Sequence, residues 1–383
     1  MALNLEAYFK GKGVNLSIDS NLPGKKINLP VNNLYFLKDY LNPESQDFFY
    51  IKNISETKFH RVLLKEMLIY SKVNGYLIIK YGNKEILSFK KLIKEVSICS
   101  NAISKIIVDS NNKVIIIQKI KKFLHPSDRI TKWSFGIITN GKKNDWVEMQ
   151  IQSIKDQKIP FYEIIVCGTY FDKKEPNFKY ISFNEKDELG WITKKKNIIC
   201  ENAKYENLCI LHDRIILGKN WFRGMKKYGN YFEILSCVIK NKEGNRSGDW
   251  ITYGNKFGRY SKIGFLDYKD SDRFGYLDGA MYLLKKSIWL KQKWDEHLFW
   301  NDGEDIKLSQ DWYNLGVLLR FNPYSKCETL NWRHGALPIY FFNPYKLGKY
   351  PISVYKKIIP LIKFYIKKII KVLKNKSLTQ QQR

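Results

Sequence analysis

The segment that begins at Trp133 alternates buried strand patterns with amphipathic helix patterns, and this limits the fold more than any other feature of the chain. We predict strands at WSFGIITNG, FYEIIVCG, FKYISF and ENLCILHDRIIL, and helices at WVEMQIQSIKDQ and ITKKKNIICENAK. A strand–helix–strand progression builds a mostly parallel sheet, because each crossover helix returns the chain to the same end of the sheet. The sequence therefore predicts an α/β fold whose ligands bind at the carboxyl ends of the strands.

A second α/β pattern precedes this segment. RVLLKEMLIYSKV has apolar residues at helical spacing, and GYLIIKY is typical of a strand that follows an Asn-Gly turn. The polar stretch KKFLHPSDRITK, which contains a proline, is interpreted as a linker. The predicted organisation is an N-terminal domain at 1–122, a linker at 123–132, a larger domain at 133–345 and a tail at 346–383.

The charge balance is strongly basic, with 66 Lys and Arg against 37 Asp and Glu, a net charge of +29. An excess of this size indicates an anionic ligand or surface. The 44% of hydrophobic residues and 15% of aromatic residues predict folded cores, which excludes a disordered basic tail protein. No apolar run is long enough to predict a transmembrane helix or a secretory signal. The six cysteines form no CxxC pair and are interpreted as buried, reduced thiols, which fits a cytoplasmic protein.

Two polar groups stand out against this apolar pattern. His212, Asp213 and Arg214 interrupt the last strand at its polar end, where a carboxylate is well placed to hold a divalent cation through oxygen. Glu304 and Asp305 form a paired carboxylate at the predicted start of an amphipathic helix. Acidic residues in a first turn also stabilise the helix dipole, so the pair alone fits a catalytic and a structural interpretation equally well.

The ordered run of segments from Trp133 to His334 resembles a glycosyltransferase of the GT-A fold, close to family 2 and the galactosyltransferase-like groups. FGIITNGKKNDWVEMQIQSIKDQKIPFYEIIVCG is similar to the opening strand and helix that bind the nucleotide. GWITKKKNIICENAKYENLCILHDRI is similar to the segment that ends in the DxD motif, although only the central carboxylate, Asp213, is present. GYLDGAMYLLKKSIW resembles the acceptor side of the pocket, and WNDGEDIKLSQ resembles the glutamate–aspartate motif.

The resemblance implies a nucleotide-sugar donor, most often a UDP-sugar, and a glycan or lipid-linked acceptor. It places the donor against Thr139, Asn140, Gly168, Lys196, Asn197, His212, Asp213 and Arg214. It also implies that Mn²⁺ or Mg²⁺, held by Asp213 and His334, neutralises the leaving diphosphate. Asp305 is predicted to take the proton of the acceptor hydroxyl, with Glu304 binding the acceptor or supporting Asp305. The family resemblance further implies inversion at the anomeric centre.

The N-terminal region has a fainter resemblance to class I methyltransferases. LNLEAYFKGKGVNLSID and HRVLLKEMLIYSKVNGYLIIK are similar to them in layout. No GxG-type loop stands where the backbone of such an enzyme approaches adenosylmethionine. The region is therefore predicted to be a degenerate, non-catalytic domain with a scaffold or partner-binding role.

The C-terminal tail is basic and amphipathic. Residues 346–376 contain ten lysines and no acidic residue, and on a helical projection most of the lysines lie opposite an isoleucine-rich face. Such a helix lies in the headgroup layer of an anionic membrane. A helix docked on its own domain is the alternative. The tail predicts a cytoplasmic protein that is peripheral on the inner face of the membrane.

The leading hypothesis is a membrane-associated glycosyltransferase that acts in surface polysaccharide synthesis. A catalytically inactive, transferase-like scaffold and a basic nucleic-acid-binding protein are the alternatives. The sequence contains no RRM signature, zinc-finger spacing or basic zipper. Because nucleic-acid binding would also leave Glu304 and Asp305 unexplained, no nucleic acid is expected as a partner.

Overall fold

The computed structural model describes residues 4–17, 21–253 and 264–331, together with the backbone of residues 340 and 341. Residues 1–341 form one compact unit. In the described part, α-helices pack on two large β-sheets, and a small four-stranded sheet lies beside them. The α/β fold class predicted from the sequence is confirmed.

The first sheet is built by the N-terminal third of the chain. Its strands are β1 (Gly13–Asn15), β2 (Lys25–Lys26), β3 (Gln46–Lys52), β4 (Ser71–Lys80), β5 (Ser104–Asp109) and β6 (Val114–Lys119). Their order is β2-β1-β3-β4-β6-β5, with the first four parallel and β6 antiparallel to both of its neighbours. The accompanying helices are α1 (His60–Tyr70) and α2 (Phe89–Ser100), with short 3₁₀ turns at Leu5–Tyr8 and Ile54–Glu56.

The Asn-Gly turn expected before GYLIIKY is not a turn in the structure. Helix α1 ends at Tyr70, and β4 begins at the next residue, Ser71. Asn74 stays inside β4 with a φ of 68°, and the pairing of β4 with β3 shifts register between Gln46 and Phe48. Asparagine tolerates the left-handed region better than most residues, so the dipeptide is accommodated as an irregularity within a strand.

The second sheet and the small sheet are built by the rest of the described chain. The strands are β7 (Lys132–Thr139), β8 (Phe161–Gly168), β9 (Phe178–Ser182), β10 (Asn207–His212), β11 (Ile215–Leu217), β12 (Ile234–Lys240), β13 (Ile251–Thr252), β14 (Gly264–Phe265), β15 (Gly275–Tyr276), β16 (Met281–Lys285), β17 (Leu319–Thr329) and β18 (Tyr340–Phe341). The helices are α3 (Asn144–Lys155), α4 (Ile192–Asn202), α5 (Trp221–Tyr228), α6 (Lys286–Lys291) and α7 (Glu304–Asn314).

The second sheet has the order β11-β17-β12-β16-β10-β7-β8-β9, and the small sheet has the order β15-β13-β14-β18. Strands β10, β7, β8 and β9 are parallel, as the sequence predicts. Strand β16 runs antiparallel between β10 and β12, and β11 is antiparallel to β17. The sheet is therefore mixed, and its parallel half is the part that the strand–helix alternation predicted.

The alternation along β7 sets the two faces of this sheet. Trp133, Phe135 and Ile137 are buried in one core with residues of α3 and α5, whereas Ile138 belongs to the core on the opposite face, beneath α4. Successive side chains of a strand point to opposite faces, so a strand that is buried at seven of its eight residues, as β7 is, must be covered on both. Helices on both faces of β7 follow from this pattern.

Buried ion pairs join the two large sheets. Arg320 on β17 places Nη1 3.0 Å from Oε1 of Glu66 on α1, and its Nη2 donates to the carbonyl oxygen of Tyr35 at 2.9 Å. Lys65 on α1 pairs with Glu233 at 3.0 Å. These contacts cross the predicted linker, and the domain boundaries drawn from the sequence stay predictions.

All six cysteines are buried, as predicted, and all carry free thiols. No helix in the described ranges is long and apolar enough to cross a membrane. The predicted C-terminal amphipathic helix lies outside the described residues.

Candidate active site

Three parallel strands end at the same edge of the second sheet. Thr139, the last residue of β7, pairs with Gly168, the last residue of β8. On the other side of β7, His212 ends β10 opposite Ile138. Ligands of parallel sheets bind at this carboxyl edge, so the chain that leaves β10 at Asp213 enters the expected binding region.

Asp213 is held against the end of β7. The hydroxyl of Thr139 donates to Oδ2 of Asp213 at 3.2 Å and accepts from the backbone N–H of Gly141 at 3.1 Å. Burial raises the pKa of Asp213, and the Thr139 hydrogen bond and the nearby charges of Arg214 and Lys195 act in the opposite direction. A negative charge in this position attracts a cation that enters the edge and repels a phosphate.

Lys195 contacts the chain at the ends of these strands. Its Nζ donates to the carbonyl oxygen of Thr139 at 2.7 Å and lies 2.5 Å from Oδ1 of Asp187. Gly168 has a φ of 138°, and a Cβ there would lie 1.9 Å from the oxygen of Thr139, so only glycine fits. Thr139, Gly168, Lys195, Asp213 and Arg214 are called the strand-end cluster below.

The paired carboxylates begin a helix, as the sequence predicts. Helix α7 starts at Glu304, after a sharp turn in which Asn301 and Gly303 both have a φ of 75°. Glu304 accepts a hydrogen bond from Nζ of Lys196 at 2.9 Å, and that amine also donates to the carbonyl oxygen of Gly279 at 3.1 Å. Lys196 is fully buried, so its charge is committed to Glu304.

Asp305 lies beside this pair with a different electrostatic balance. Its Oδ2 accepts from the N–H of Gly279 at 3.2 Å, and its Oδ1 accepts from the N–H of Ile306 at 2.8 Å. Burial raises the pKa of Asp305 to about 7, and the neighbouring carboxylates of Glu304 and Asp278 add to the increase. The three carboxylates Asp278, Glu304 and Asp305 are called the acidic cluster below.

The strand-end cluster and the acidic cluster adjoin. Nη2 of Arg214 lies 3.9 Å from Oδ1 of Asp278, and the N–H of His212 donates to the carbonyl oxygen of Ala280 at 2.9 Å. A Cβ on Gly279 would lie only 2.7 Å from Oε1 of Glu304, so the loop before β16 approaches α7 as closely as glycine allows. Cationic side chains and a proton-accepting carboxylate thus share one edge of the sheet.

Other predicted donor-binding residues lie outside these two clusters. Asn140 is exposed, and its side chain accepts from the N–H of Lys142 at 3.2 Å. Asn197 is buried, and its Oδ1 accepts from Nε1 of Trp289 at 3.0 Å and from the N–H of Trp294 at 3.2 Å. Both residues organise loops in this structure, and their contact with a donor stays a prediction.

The predicted metal site falls partly outside the described residues. His334 is one of the residues whose structure is not described. Within the described ranges, no group of three or more His, Cys, Asp or Glu side chains could hold a metal ion. Asp213 is therefore the single predicted ligand that the structure positions.

Sequence reasoning missed two carboxylates at this edge. Asp278 stands three residues before the first residue of the buried strand β16, and this polar position beside an apolar strand could have identified it. Asp187, which binds Lys195, lies in the polar stretch FNEKDELG and has no comparable signal. Its contact depends on how the loop between β9 and α4 folds back over the strand ends.

Comparison with known proteins gives structural neighbours alone. No protein-family model matches the chain, and no curated protein matches it. Among solved structures it is similar to GalNAc-T7 with UDP, GalNAc and Mn²⁺, at a TM-score of 0.41 and 16% identity over 53% of this chain and 44% of that one. It is also similar to S. aureus TarS 1-349 (TM-score 0.35, 12% identity, 51% of this chain, 60% of that one). A third neighbour is the inositol-1-phosphate CTP transferase from T. maritima (TM-score 0.36, 14% identity, 53% of this chain, 90% of that one).

Proposed function

We propose that the chain is a glycosyltransferase of the GT-A fold, which moves a sugar from a nucleotide-sugar donor to an acceptor hydroxyl. The observation that carries this proposal is the meeting of the strand-end cluster with the acidic cluster at the carboxyl edge of the second sheet. One cluster offers positive charge to a diphosphate, and the other offers a carboxylate, Asp305, with a pKa of about 7. Transfer of a sugar from a nucleoside diphosphate needs both.

In the proposed reaction, the acceptor oxygen attacks the anomeric carbon of the donor sugar. The bond between that carbon and the phosphate oxygen breaks, and its electron pair leaves with the nucleoside diphosphate. Asp305 takes the proton that the acceptor hydroxyl loses. A single attack of this kind inverts the anomeric centre. We propose a UDP-sugar as donor and a glycan or lipid-linked glycan, in surface polysaccharide synthesis, as acceptor.

The two carboxylates of α7 have separate roles in this proposal. Glu304 is bound to the buried ammonium of Lys196, so its carboxylate already has a partner within the protein. Asp305 makes its hydrogen bonds to backbone N–H groups, and the negative charges around it favour its protonated form. A base works best when its pKa lies near the working pH, which Asp305 satisfies.

A divalent ion would supply positive charge to the leaving diphosphate. Mg²⁺ and Mn²⁺ prefer several oxygen ligands. The described residues do not meet that need, because Asp213 stands without two further candidate ligands in that part of the chain. Ligation by Asp213 and His334 stays a prediction from the resemblance, and no step of the proposed reaction passes through a metal.

We propose that the N-terminal sheet is not catalytic. At the carboxyl ends of β3 and β4, Glu85 accepts from the N–H and the hydroxyl of Ser55 and from the N–H of Gly82. These contacts use the polar groups of the strand ends within the chain itself. A scaffold or partner-binding role, as part of the same compact unit, remains the proposal for this region.

We also propose that the basic tail binds anionic membrane surfaces peripherally on the cytoplasmic face. The support is the lysine-rich face and the isoleucine-rich face of residues 346–376. The protein cut after Tyr345 is expected to lose flotation with vesicles that contain phosphatidylserine, while the full chain floats. Equal flotation of both proteins would contradict this proposal.

A thermal-shift screen of nucleotide sugars tests the donor. The expected result is a higher Tm with one class of nucleotide sugar, because a ligand that binds the folded state stabilises it. The same donor should be hydrolysed slowly without acceptor, with release of the nucleoside diphosphate. Binding without any turnover would favour the inactive, transferase-like scaffold, and absence of any shift with UDP-, GDP- and CDP-sugars would contradict a donor site.

A further inference from the structure

Arg214 places a permanent positive charge where the two clusters meet. Its side chain is about one-fifth exposed, and its guanidinium lies 3.9 Å from the carboxylate of Asp278. That separation exceeds hydrogen-bond distance, so the pair attracts through space without using the N–H donors that face Asp278. The guanidinium therefore has donors to offer to a ligand at the sheet edge.

The two lysines of α4 at this edge are differently placed. Lys195 is engaged by Asp187 at 2.5 Å and by the carbonyl oxygen of Thr139 at 2.7 Å. Lys196 is fully buried against Glu304 at 2.9 Å. Both amines already have short contacts with oxygen atoms of the protein. Arg214 is thus the cation of the strand-end cluster best able to form new hydrogen bonds.

The chemistry of the His212-Asp213-Arg214 triplet does not suit a metal-bound diphosphate. Asp213 already accepts the hydroxyl of Thr139 through Oδ2. The next residue is an arginine, whose positive charge repels a divalent cation. The same guanidinium matches two phosphate oxygens through parallel N–H donors. Charge and donor geometry at this position favour an anion.

We infer that Arg214 binds the diphosphate of the donor directly, so that nucleoside diphosphate binding by this chain needs no divalent cation. The inference rests on the proposed function, because it concerns the donor of that reaction. In this inference Asp213 holds the hydroxyl of Thr139 at the strand ends and carries no metal. The ligand class is a nucleoside diphosphate, bound through its two phosphates.

The test measures binding of UDP by isothermal titration calorimetry, in EDTA and in Mn²⁺, with GDP and CDP as further probes. The wild-type chain is expected to bind one of the three in EDTA with a Kd within about threefold of that in Mn²⁺. Arg214→Gln is expected to weaken binding by about tenfold or more in both buffers, because charge-assisted hydrogen bonds to phosphate are lost. Arg214→Lys should recover part of the loss.

Two further variants separate direct binding by Arg214 from a general charge effect and from a metal ligand at Asp213. Arg223→Gln changes an exposed arginine on α5 and should leave the Kd unchanged. Asp213→Asn should bind at least as tightly as the wild type in EDTA, because it removes negative charge near the phosphates, whereas loss of a metal ligand would weaken binding. Unchanged near-ultraviolet circular dichroism for each variant establishes that it is folded.

Binding that requires Mn²⁺, and that Asp213→Asn abolishes while Arg214→Gln spares, overturns this inference and leaves the proposed function standing. If the wild type binds none of the three nucleotides in either buffer, both the inference and the proposed function are wrong. The two failures are therefore distinguishable in one set of titrations.

Discussion

The two large sheets of this protein differ in how the carboxylates near their strand ends are paired. In the N-terminal sheet, Glu85 is surrounded by donors from Ser55 and Gly82, and near the other end of that sheet Asp47 pairs with Lys72 at 2.7 Å. In the second sheet, three carboxylates share one corner, and Lys196 directly pairs with only one of them. In the N-terminal sheet, these carboxylates are paired with hydrogen-bond donors or a cation. In the second sheet, the neighbouring carboxylates repel one another.

This difference indicates which of the two sheets carries the candidate active site. Repulsion between partly buried carboxylates costs folding free energy, and a sequence under no functional constraint has no reason to keep it. Perturbed pKa values concentrate at sites of chemistry for this reason. The contrast therefore assigns the candidate active site to the second sheet, and the following changes should break or sharpen it.

The largest expected effect is on turnover. Asp305→Asn should lower kcat by about 10²–10⁴-fold, because the amide cannot take the proton of the acceptor hydroxyl. Release of nucleoside diphosphate in the presence of acceptor measures it. Asp311→Asn, which changes a half-buried carboxylate about two turns further along α7, is the matched control and should retain wild-type turnover. Full activity of Asp305→Asn would place the base elsewhere.

The second effect concerns the link between the sheets. Arg320→Met leaves Glu66 buried without its partner and should lower the free energy of unfolding by about 3–5 kcal/mol. Chemical denaturation measures the loss, which should appear in both sheets as a single transition. Lys122→Met removes an exposed partner of Glu44 and should cost under about 1 kcal/mol. Two separate transitions in the Arg320 variant would show that the sheets unfold independently.

The third effect is a dependence of stability on pH. Folding raises the pKa of Asp305 from its ordinary value of 3.8 to about 7, so between these values the folded state holds a proton that the unfolded state has lost. The contribution of this group to stability therefore falls as pH rises through that window. Asp305→Asn lacks this loss, so its Tm relative to the wild type should rise by about 2 °C or more between pH 5 and pH 8. A constant difference in Tm would argue against the raised pKa.

The smallest effect is expected at the carboxyl edge of the N-terminal sheet. Glu85→Gln should lower the free energy of unfolding by about 1 kcal/mol, through weaker hydrogen bonds to Ser55. Nucleoside diphosphate affinity should stay unchanged, because the residue lies in the N-terminal sheet. A tenfold change in affinity would mean that the two edges communicate.

The parallel half of the second sheet was predictable because its pattern is local. Strands β7, β8 and β10 contain short apolar runs, β9 mixes apolar and polar residues, and α3 and α4 have apolar residues at helical spacing. Strand β17 has no such signal, since it contains Pro323 and several polar residues. It forms through pairing with β12 across a register shift at Cys237, a long-range contact that a local pattern cannot encode.

The sequence predicted which residues form much of the candidate site, but it did not predict which side chains pair with one another there. Glu304 and Asp305 were found from their place before an amphipathic helix, and Asp213 from its place after a strand. The partnership of Lys196 with Glu304 joins residues 108 positions apart, and Arg214 meets Asp278 only because β16 lies beside β10. The pKa of Asp305 depends on burial, which needs the folded chain.

The ion pair between Glu66 and Arg320 also bears on how the protein is made. The two residues are 254 positions apart in the chain. A ribosome adds about 5–20 residues per second, so on the order of 10–50 seconds separate the synthesis of the two side chains. During that interval Glu66 on α1 is present in the nascent chain, but Arg320 has not yet been synthesised. The buried pair between α1 and β17 can therefore form only after β17 has been translated.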